Sequence, residues 1–540
     1  MPARKSSKTT AASSKKRASR TSAGAAASRK GAGRAAGTTE TAAGGGKRAG
    51  SKKAGSKRAG KAQAGGIGQA PGGVFLINMI PKALSGEANQ DSEPHLTVNP
   101  TNPLQIVGTA FTPDPGGGVN APIFISTDGG LSWSLNSIVP SAAGSGSGTG
   151  DITTGLNRNA SKLYAAILRN PTGNQEFLRT NNFAAPTPMT ILKSRPSADQ
   201  PFTHATTMTS GVDIGKDRVY IGNNDFAAPG GKTATIDHSL NAGVAAPVFS
   251  TIRIERRSTV SQDGPQIRPT THPDGTVYAA FYRWRAMTGS FASNTLIITS
   301  ADVVVVRDDN GGKGLNPYAA LVDPGDGIAG MRVVKGISFP FMRNGTAATG
   351  QQRLGGSLSI AVDPNNSSVV YLAWCDKPAG STFMQTLHVR RSTNRGLTWS
   401  ANDLLTIESA TNAALAINSN GKVALLFQQF RGLAGDPRWV TRVKRTTDGT
   451  NWDDLILANV PATIPAKIFD PYIGDYDHIL AVGKDFYGIF STCNIPNLAN
   501  FPNGVKYQRN ANFDTRKLLK LDNATAVSPS IDPFFFKLTE

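Results

Sequence analysis

Long apolar runs are missing from this chain. None approaches eighteen residues, so no stretch can cross a bilayer as a helix, and no membrane span is expected. Cysteine is nearly absent. Two residues, Cys375 and Cys493, make no disulfide framework, and neither has a Cys or His neighbour at metal-ligand spacing, so no metal or cofactor is expected. Both follow apolar or aromatic runs, YLAWC and YGIFSTC, where a thiol packs as a small inert hydrophobe. The start of the chain carries no apolar core of secretory type. A cytoplasmic or nucleic-acid-associated setting is therefore expected, with export by another route as the alternative. There is also no P-loop, no GxGxxG ahead of a helix and no HExxH, which argues against nucleotide and zinc-peptidase chemistry. The six histidines are scattered along the chain and read as surface or core residues rather than ligands. The loop DDNGGKG at Asp308 is acidic, but its spacing fits no calcium loop.

Acids and large apolar residues are lacking at one end only. Residues 1–66 hold 17 Lys and Arg against one acid, Glu40, and contain no Leu, Ile, Val, Phe, Tyr or Trp. With nothing apolar to bury, such a segment cannot offset the entropy of ordering and is expected to be disordered. Its basic clusters, Lys15, Lys16 and Arg17, then Lys47 and Arg48, Lys52 and Lys53, and Lys57 and Arg58, resemble the Lys/Ala-rich tails of linker-histone-like proteins. That resemblance implies nucleic acid or another polyanion as partner, held by counterion release and sensitive to salt. A solubilising tail and a transit peptide are the alternatives. Most of the formal net charge of +20 belongs to this tail, and the remainder of the chain is nearly balanced.

From Val74 onward strand signals dominate: short runs rich in Val, Ile, Tyr and Phe, cut every few residues by Pro, Asn, Asp and Gly. A pattern of polar start, short strand, turn and second apolar strand begins at Glu93 and returns at Gly150, Asp199, Asp263, Gly355, Asn412 and Asp470. Sheets repeated in this way bury their faces against one another and lose their edges by closing into a ring. The spacing predicts a seven-bladed β-propeller over residues 93–540, with six or eight blades as lesser alternatives, after a linker over 67–92. VVVVRDDNGGKG and MRVVKGISF are expected as outer strands of the fourth unit. VFLINMI at Val74 and DPFFFKL at Asp532 are the candidates for closing the ring.

Three short stretches mark this pattern: STDGGLSW at 126–133, STNRGLTW at 392–399, and TTDGTNW at 446–452. Each follows a strand-like run and reads as a hairpin tip. Asp128, Asn394 or Asp448 accepts backbone N–H bonds across the turn. Gly130, Gly396 or Gly449 supplies positive φ, and Trp133, Trp399 or Trp452 plugs the space beneath; Ser126, Ser392 or Thr446 opens each motif. The motif resembles the Asp-box, or bacterial neuraminidase repeat, of sialidase-like propellers. In that family the box is a structural hairpin remote from the active centre, and the resemblance implies fold more than activity.

In a propeller the first strand of each blade lines the channel, so residues at its start converge on one mouth. Asp151, Asp199, Asp263, Arg268, Arg353, Tyr472, Asp475 and Tyr476 are the candidates for a polar funnel there. Acids, guanidinium groups and phenols suit a sugar or a polar protein loop. Aspartates before Gln-Pro or Gly-Pro also suit turn caps. Sialidases use three arginines, a tyrosine helped by a glutamate, and an aspartate. Arg268, Arg283, Arg353 and Arg431, with Tyr472 or Tyr476 and Glu255, could be written into those roles, but the Arg-Ile-Pro signature is missing and nothing in the spacing selects them. Two facing carboxylates among Asp151, Asp199, Asp263 and Asp475 would instead suit a two-carboxylate glycosidase. The expected protein is a monomeric propeller that binds a glycan or protein ligand at the mouth, with a glycoside hydrolase as the alternative.

Overall fold

The computed structural model describes residues 73–112, 119–140, 148–169, 173–264, 267–290, 293, 295–341, 355–377, 380, 385–433, 435–465 and 473–540. The chain divides into two units, Met1–Ala64 and Gly65–Glu540. The first unit, with every basic cluster named above, lies outside the described residues, as do Arg353 and Tyr472.

Among the described residues helix is confined to three single 3-10 turns, and the rest of the regular structure is β. Six sheets have four strands each, in chain order. The first of them runs His95–Val98, Ile106–Thr109, Asn120–Ser126, Ser134–Pro140. The second to sixth sheets begin with the strands Ile152–Leu156, Ala198–Thr207, Arg268–Thr271, Leu358–Asp363 and Ala410–Ile417. A further sheet, the seventh in order around the molecule, begins with His478–Val482 and Asp485–Cys493 and is completed from both ends of the described chain. Ile531–Leu538 pairs antiparallel with Asp485–Cys493, and Val74–Asn78 then pairs antiparallel with Ile531–Leu538, Ile77 opposite Phe535. Ile297–Asp308 and Met331–Pro340 form the third and fourth strands of the fourth sheet.

The sheets stack face to face, and the core is divided accordingly. Each hydrophobic cluster lies between two consecutive sheets: Ile138 and Ile167 between the first and second, Tyr278 and Trp374 between the fourth and fifth, Phe124 and Phe535 between the seventh and first. The first strands touch in sequence, and the first strand of the seventh sheet touches that of the first, so the cycle closes. This is the arrangement of a β-propeller. Because neighbours cover both faces, inner strands are buried along their whole length, as in Asp217–Asp225 and Thr233–Ser239, while the outer strand Ser250–Arg253 is open to solvent. Polar residues trapped in inner strands must then find partners. Asn223 donates to Asp237 at 2.9 Å, and Arg195 bridges Asp225 and Asp237 at 2.5 and 2.9 Å.

The three hairpin tips share one hydrogen-bond scheme. The first hydroxyl donates to the acid or amide two residues on, Ser126 to Asp128 at 2.8 Å, Ser392 to Asn394 at 3.0 Å and Thr446 to Asp448 at 3.0 Å. The same hydroxyl accepts the glycine N–H, at 2.9 Å from Gly130, 2.8 Å from Gly396 and 2.9 Å from Gly449. The acid or amide then accepts from the far side of the turn, from the N–H of Ser132, Thr398 and Asn451 at 2.9, 2.9 and 2.8 Å. Gly130 has φ +88°, and a Cβ there would overlap the ring of Phe535 in the neighbouring sheet, so both conformation and space require glycine. The tryptophans plug the seams between sheets rather than the hairpins themselves. Trp133 is buried 5.2 Å from Phe535 of the seventh sheet; half-buried Trp399 and Trp452 pack on the clusters shared with the preceding sheets. A basic side chain of the preceding sheet binds a carbonyl of each tip: Lys506 that of Leu131, Arg307 that of Arg395, and Arg391 that of Asp448. Each tip is a joint between neighbours.

Candidate functional site at the ring axis

The chain enters most of the first strands through a bend. Glu93, Gln200 and Asn412 have φ of 56°, 50° and 56°, and Gly474 has φ 98°. Pairing shifts register between Asp199 and Phe202 and again between Thr411 and Ala414. Bulges of this kind turn side chains out of the pleat, here toward the axis. The bends are tied to one another across sheets. The Gln200 amide donates to Asp475 at 3.3 Å, the Asp475 N–H donates to Glu93 at 3.3 Å, and the Asn412 amide donates to the Gly474 carbonyl at 3.1 Å.

Beneath this belt the axis is filled. The His95 and His478 rings stack with centroids 4.0 Å apart, and Phe202 stands edge-on to both, at 5.1 and 5.8 Å. The Arg268 guanidinium lies over Phe202 at 4.0 Å and over Tyr476 at 5.5 Å. Side chains from the first, third, fourth and seventh sheets therefore meet on the axis. His95 Nδ1 accepts from the Thr154 N–H at 3.3 Å, and His478 Nδ1 accepts from the Leu96 N–H at 3.4 Å. His204 Nε2 meets the Thr271 hydroxyl at 2.8 Å.

Several groups here are buried without a partner. Arg268 donates from Nε to the Leu358 carbonyl at 3.2 Å, but its Nη1 finds no acceptor, and no carboxylate pairs with it among the described residues. The Tyr476 hydroxyl and His95 Nε2 are likewise unpartnered. Burial sets the charge states. It lowers Arg268 to about 9, with Tyr476 acting in the other direction, and it lowers His204 to about 4 and His478 to about 3. His95 is also held well below its ordinary value by burial, then by His478 and Arg268, so the imidazoles are neutral. Burial first, and then Asp151 and Glu93, push the Tyr476 phenol well above its usual range. It stays protonated, suited to giving or accepting a hydrogen bond and ill suited to attack as phenolate.

The structure treats the sequence candidates unequally. Arg268 and Tyr476 lie together, with Asp151 and Asp199 close enough to act on the phenol. Asp475 joins the belt through Gln200. Asp199 and Asp263 each accept the N–H of the next residue, Gln200 at 2.7 Å and Gly264 at 2.8 Å, the geometry of a cap at a strand start. Three other candidates are placed elsewhere. Arg283 pairs with Asp302 at 3.1 Å, Arg431 is exposed on the second strand of the sixth sheet, and Glu255 is enclosed by Arg257, whose N–H donates to it at 2.7 Å. The histidines correct the sequence reading. His95, His204 and His478, taken there as scattered, gather at the axis because each falls on a first strand, His95 and His478 as its opening residue and His204 just after the irregularity between Asp199 and Phe202. A histidine on the first strand of three units was the available signal. Glu93 was named only as a unit start. Among the described residues no three His, Cys, Asp or Glu are arranged to hold a metal ion, and no helix is long and apolar enough to cross a membrane.

The hairpin tips sit at the other end of these first strands. Gly129 donates its N–H to Leu104 in the turn after the first strand of its sheet, at 2.9 Å, and Arg395 donates to Ser368 near the start of the second strand of its sheet, at 3.0 Å. A four-residue strand puts roughly 13 Å between such a turn and the belt.

No protein-family model matches this chain, and no curated protein matches it. Solved structures similar to it include an α-L-arabinofuranosidase of Fusarium graminearum, at 11% identity over 86% of this chain and 98% of that one, with a TM-score of 0.34. Others are the α-L-arabinanase of Penicillium chrysogenum, at 11% identity over 85% and 97% with a TM-score of 0.35, and a Hadza microbial sialidase, at 14% over 76% and 65% with a TM-score of 0.33.

Proposed function

We propose that this protein is a seven-bladed, Asp-box propeller of sialidase-like type that binds the end of a glycan chain in the pocket at its axis. The observation that carries this reading is the set of buried groups with nothing to bond to: Arg268 Nη1, the Tyr476 hydroxyl and His95 Nε2. Leaving such groups unsatisfied costs about 1–3 kcal/mol each, a cost that a polyhydroxylated ligand with donors and acceptors on one ring would offset. An axis filled by His95, His478, Phe202 and Arg268 leaves no channel for a threaded polymer, which favours a chain end. Asp151, Asp199, Asp263 and Asp475, with Arg353 and Tyr472, are assigned to the rim of this pocket. The basic clusters of residues 1–66 are assigned to a polyanion such as nucleic acid.

A glycoside hydrolase is the second reading. It is favoured by the carboxylates Asp151, Glu93 and Asp199 near one phenol, and opposed by the neutral state of that phenol. A screen of the whole protein against immobilised glycans and fluorogenic glycosides, sialosides and arabinosides among them, tests both. Binding that Arg268→Ala abolishes, without turnover, supports the first reading. Turnover lost on Asp151→Asn or Asp199→Asn supports the second, and binding untouched by Arg268→Ala sinks the pocket assignment.

A further inference from the structure

Between Val74–Asn78 and the first sheet the chain runs as a strap, residues 79–94, that ends in the belt at Glu93. It packs against the segment 494–530, which is inserted between two strands of the seventh sheet. Four ionisable side chains meet in this seam: Glu87 and Asp91 from the strap, Arg509 from the insertion, and Asp532 from the strand that follows it. Arg509 is wholly enclosed. Its Nη1 is 2.9 Å from Asp532 and 3.7 Å from Glu87, and its Nη2 donates to the carbonyls of Ser85, at 3.0 Å, and Glu87. Asp532 also accepts from Asn78 at 2.8 Å, Asn494 at 2.7 Å and Ser530 at 2.9 Å.

Asp91 is different. It is completely buried, and neither of its oxygens meets a donor at hydrogen-bonding geometry; the Thr112 hydroxyl is the polar group beside it. Glu87 Oε2 also lacks a hydrogen-bond donor, and so does Arg509 Nε an acceptor. Three carboxylates therefore share one guanidinium, Asp91 and Asp532 fully buried and Glu87 at the edge of the seam with its other oxygen on the Asn89 N–H. The other titratable groups facing them, Cys493 and Tyr507, are kept neutral by burial, and Lys520 passes its methylenes over Gly86. Like charges so enclosed cannot all ionise, and a seam one cation short must hold something positive in its place. A carboxyl that keeps its proton removes the excess charge.

We infer that this seam is a proton-held latch: at least one proton kept between Glu87 and Asp91 seals the strap onto the insertion, and its loss loosens the strap together with Glu93 at its end. Burial, and then Asp532, push Glu87 up to about 7, and burial, Glu87 and Asp532 push Asp91 well above the carboxylate range. A released strap would ionise near the ordinary carboxylate value, about 4. Between these limits the closed seam binds more protons than the open one, so its stability is complete in acid and is lost as the pH rises through about 7. The latch does not depend on what the pocket binds.

Hydrogen–deuterium exchange on the full chain tests it, following peptides from residues 79–93 at pH 5 and pH 8, corrected for intrinsic exchange, with first-sheet peptides as reference. Protection of the strap should fall at least tenfold between the two while the reference holds. Glu87→Gln and Asp91→Asn should each restore at pH 8 much of the protection seen at pH 5. Asp532→Asn, which strips Arg509 of its partner, should loosen the strap at both pH values. Equal protection of the wild-type strap at the two pH values overturns the proposal, as does further loss at pH 8 in Asp91→Asn. Should a variant not fold, the wild-type profile from pH 4 to 9 decides, since a strap that tightens as pH rises has no such latch.

Discussion

The two ends of the first strands handle buried polarity in opposite ways. At the hairpin end the polar groups of the turn itself are paired: Ser126, Asp128 and Gly130 bond one another, Lys506 takes the carbonyl of Leu131, and the indole N–H of Trp133 is the buried side-chain donor left over. At the axis end Arg268, Tyr476 and His95 hold atoms that bond to nothing. A satisfied network stabilises and has little left to offer a ligand; an unsatisfied one costs stability and is kept where something else completes it. The contrast separates scaffold from site within one short strand.

Substitutions can break this contrast, the largest effect first. Trp133→Ala removes the plug between the seventh and first sheets and should cost about 3–5 kcal/mol in chemical denaturation, leaving the surviving folded fraction able to bind in the pocket. Arg268→Met should do the reverse. Replacing an unpaired buried cation by an apolar chain of similar length should leave the protein as stable or raise stability by about 1–2 kcal/mol, while ligand binding is lost. Ser126→Ala deletes one donor and one acceptor of the box and should cost about 1 kcal/mol, read as a lower Tm with binding intact. A loss of binding without loss of stability in Ser126→Ala would dissolve the distinction.

A fourth effect is in pH, slight just below neutrality and growing with acid. His478 is neutral in the fold, lowered to about 3, against an ordinary value near 6.5 when unfolded. Its contribution is present above about 6.5 and is lost as pH falls toward 3, because the unfolded chain takes up the proton first. Wild type should lose stability in acid from about pH 6.5, and His478→Asn should lose part of that slope. The latch carries the opposite slope, so comparing each variant with wild type separates the two.

What could be seen in the sequence follows from distance along the chain. The box was legible because its bonds join residues two to four apart, so STDGGLSW and STNRGLTW state their own geometry. The strands of the fourth sheet were legible from Val and Ile runs between Gly-rich turns. The axis was legible only in part. Arg268 and Tyr476 are more than two hundred residues apart in sequence, and the His95–His478 stack joins opposite ends of the ring. Which inner positions face the axis is set by bulges at Asp199 and Thr411, whose register no local pattern announces. The acids of the seam were missed for a related reason: Glu87 and Asp91 look like solvated loop residues until residues 494–530 are folded over them.

The seventh sheet also sets an order of events. Val74–Asn78 finds its antiparallel neighbour in Ile531–Leu538, a strand made more than four hundred residues after it. Until that partner is made the early strand waits with a bare edge, and the circle stays an open arc. Deleting Ile531–Leu538 should leave an arc with two sticky ends, prone to add a second molecule where its own strand belonged.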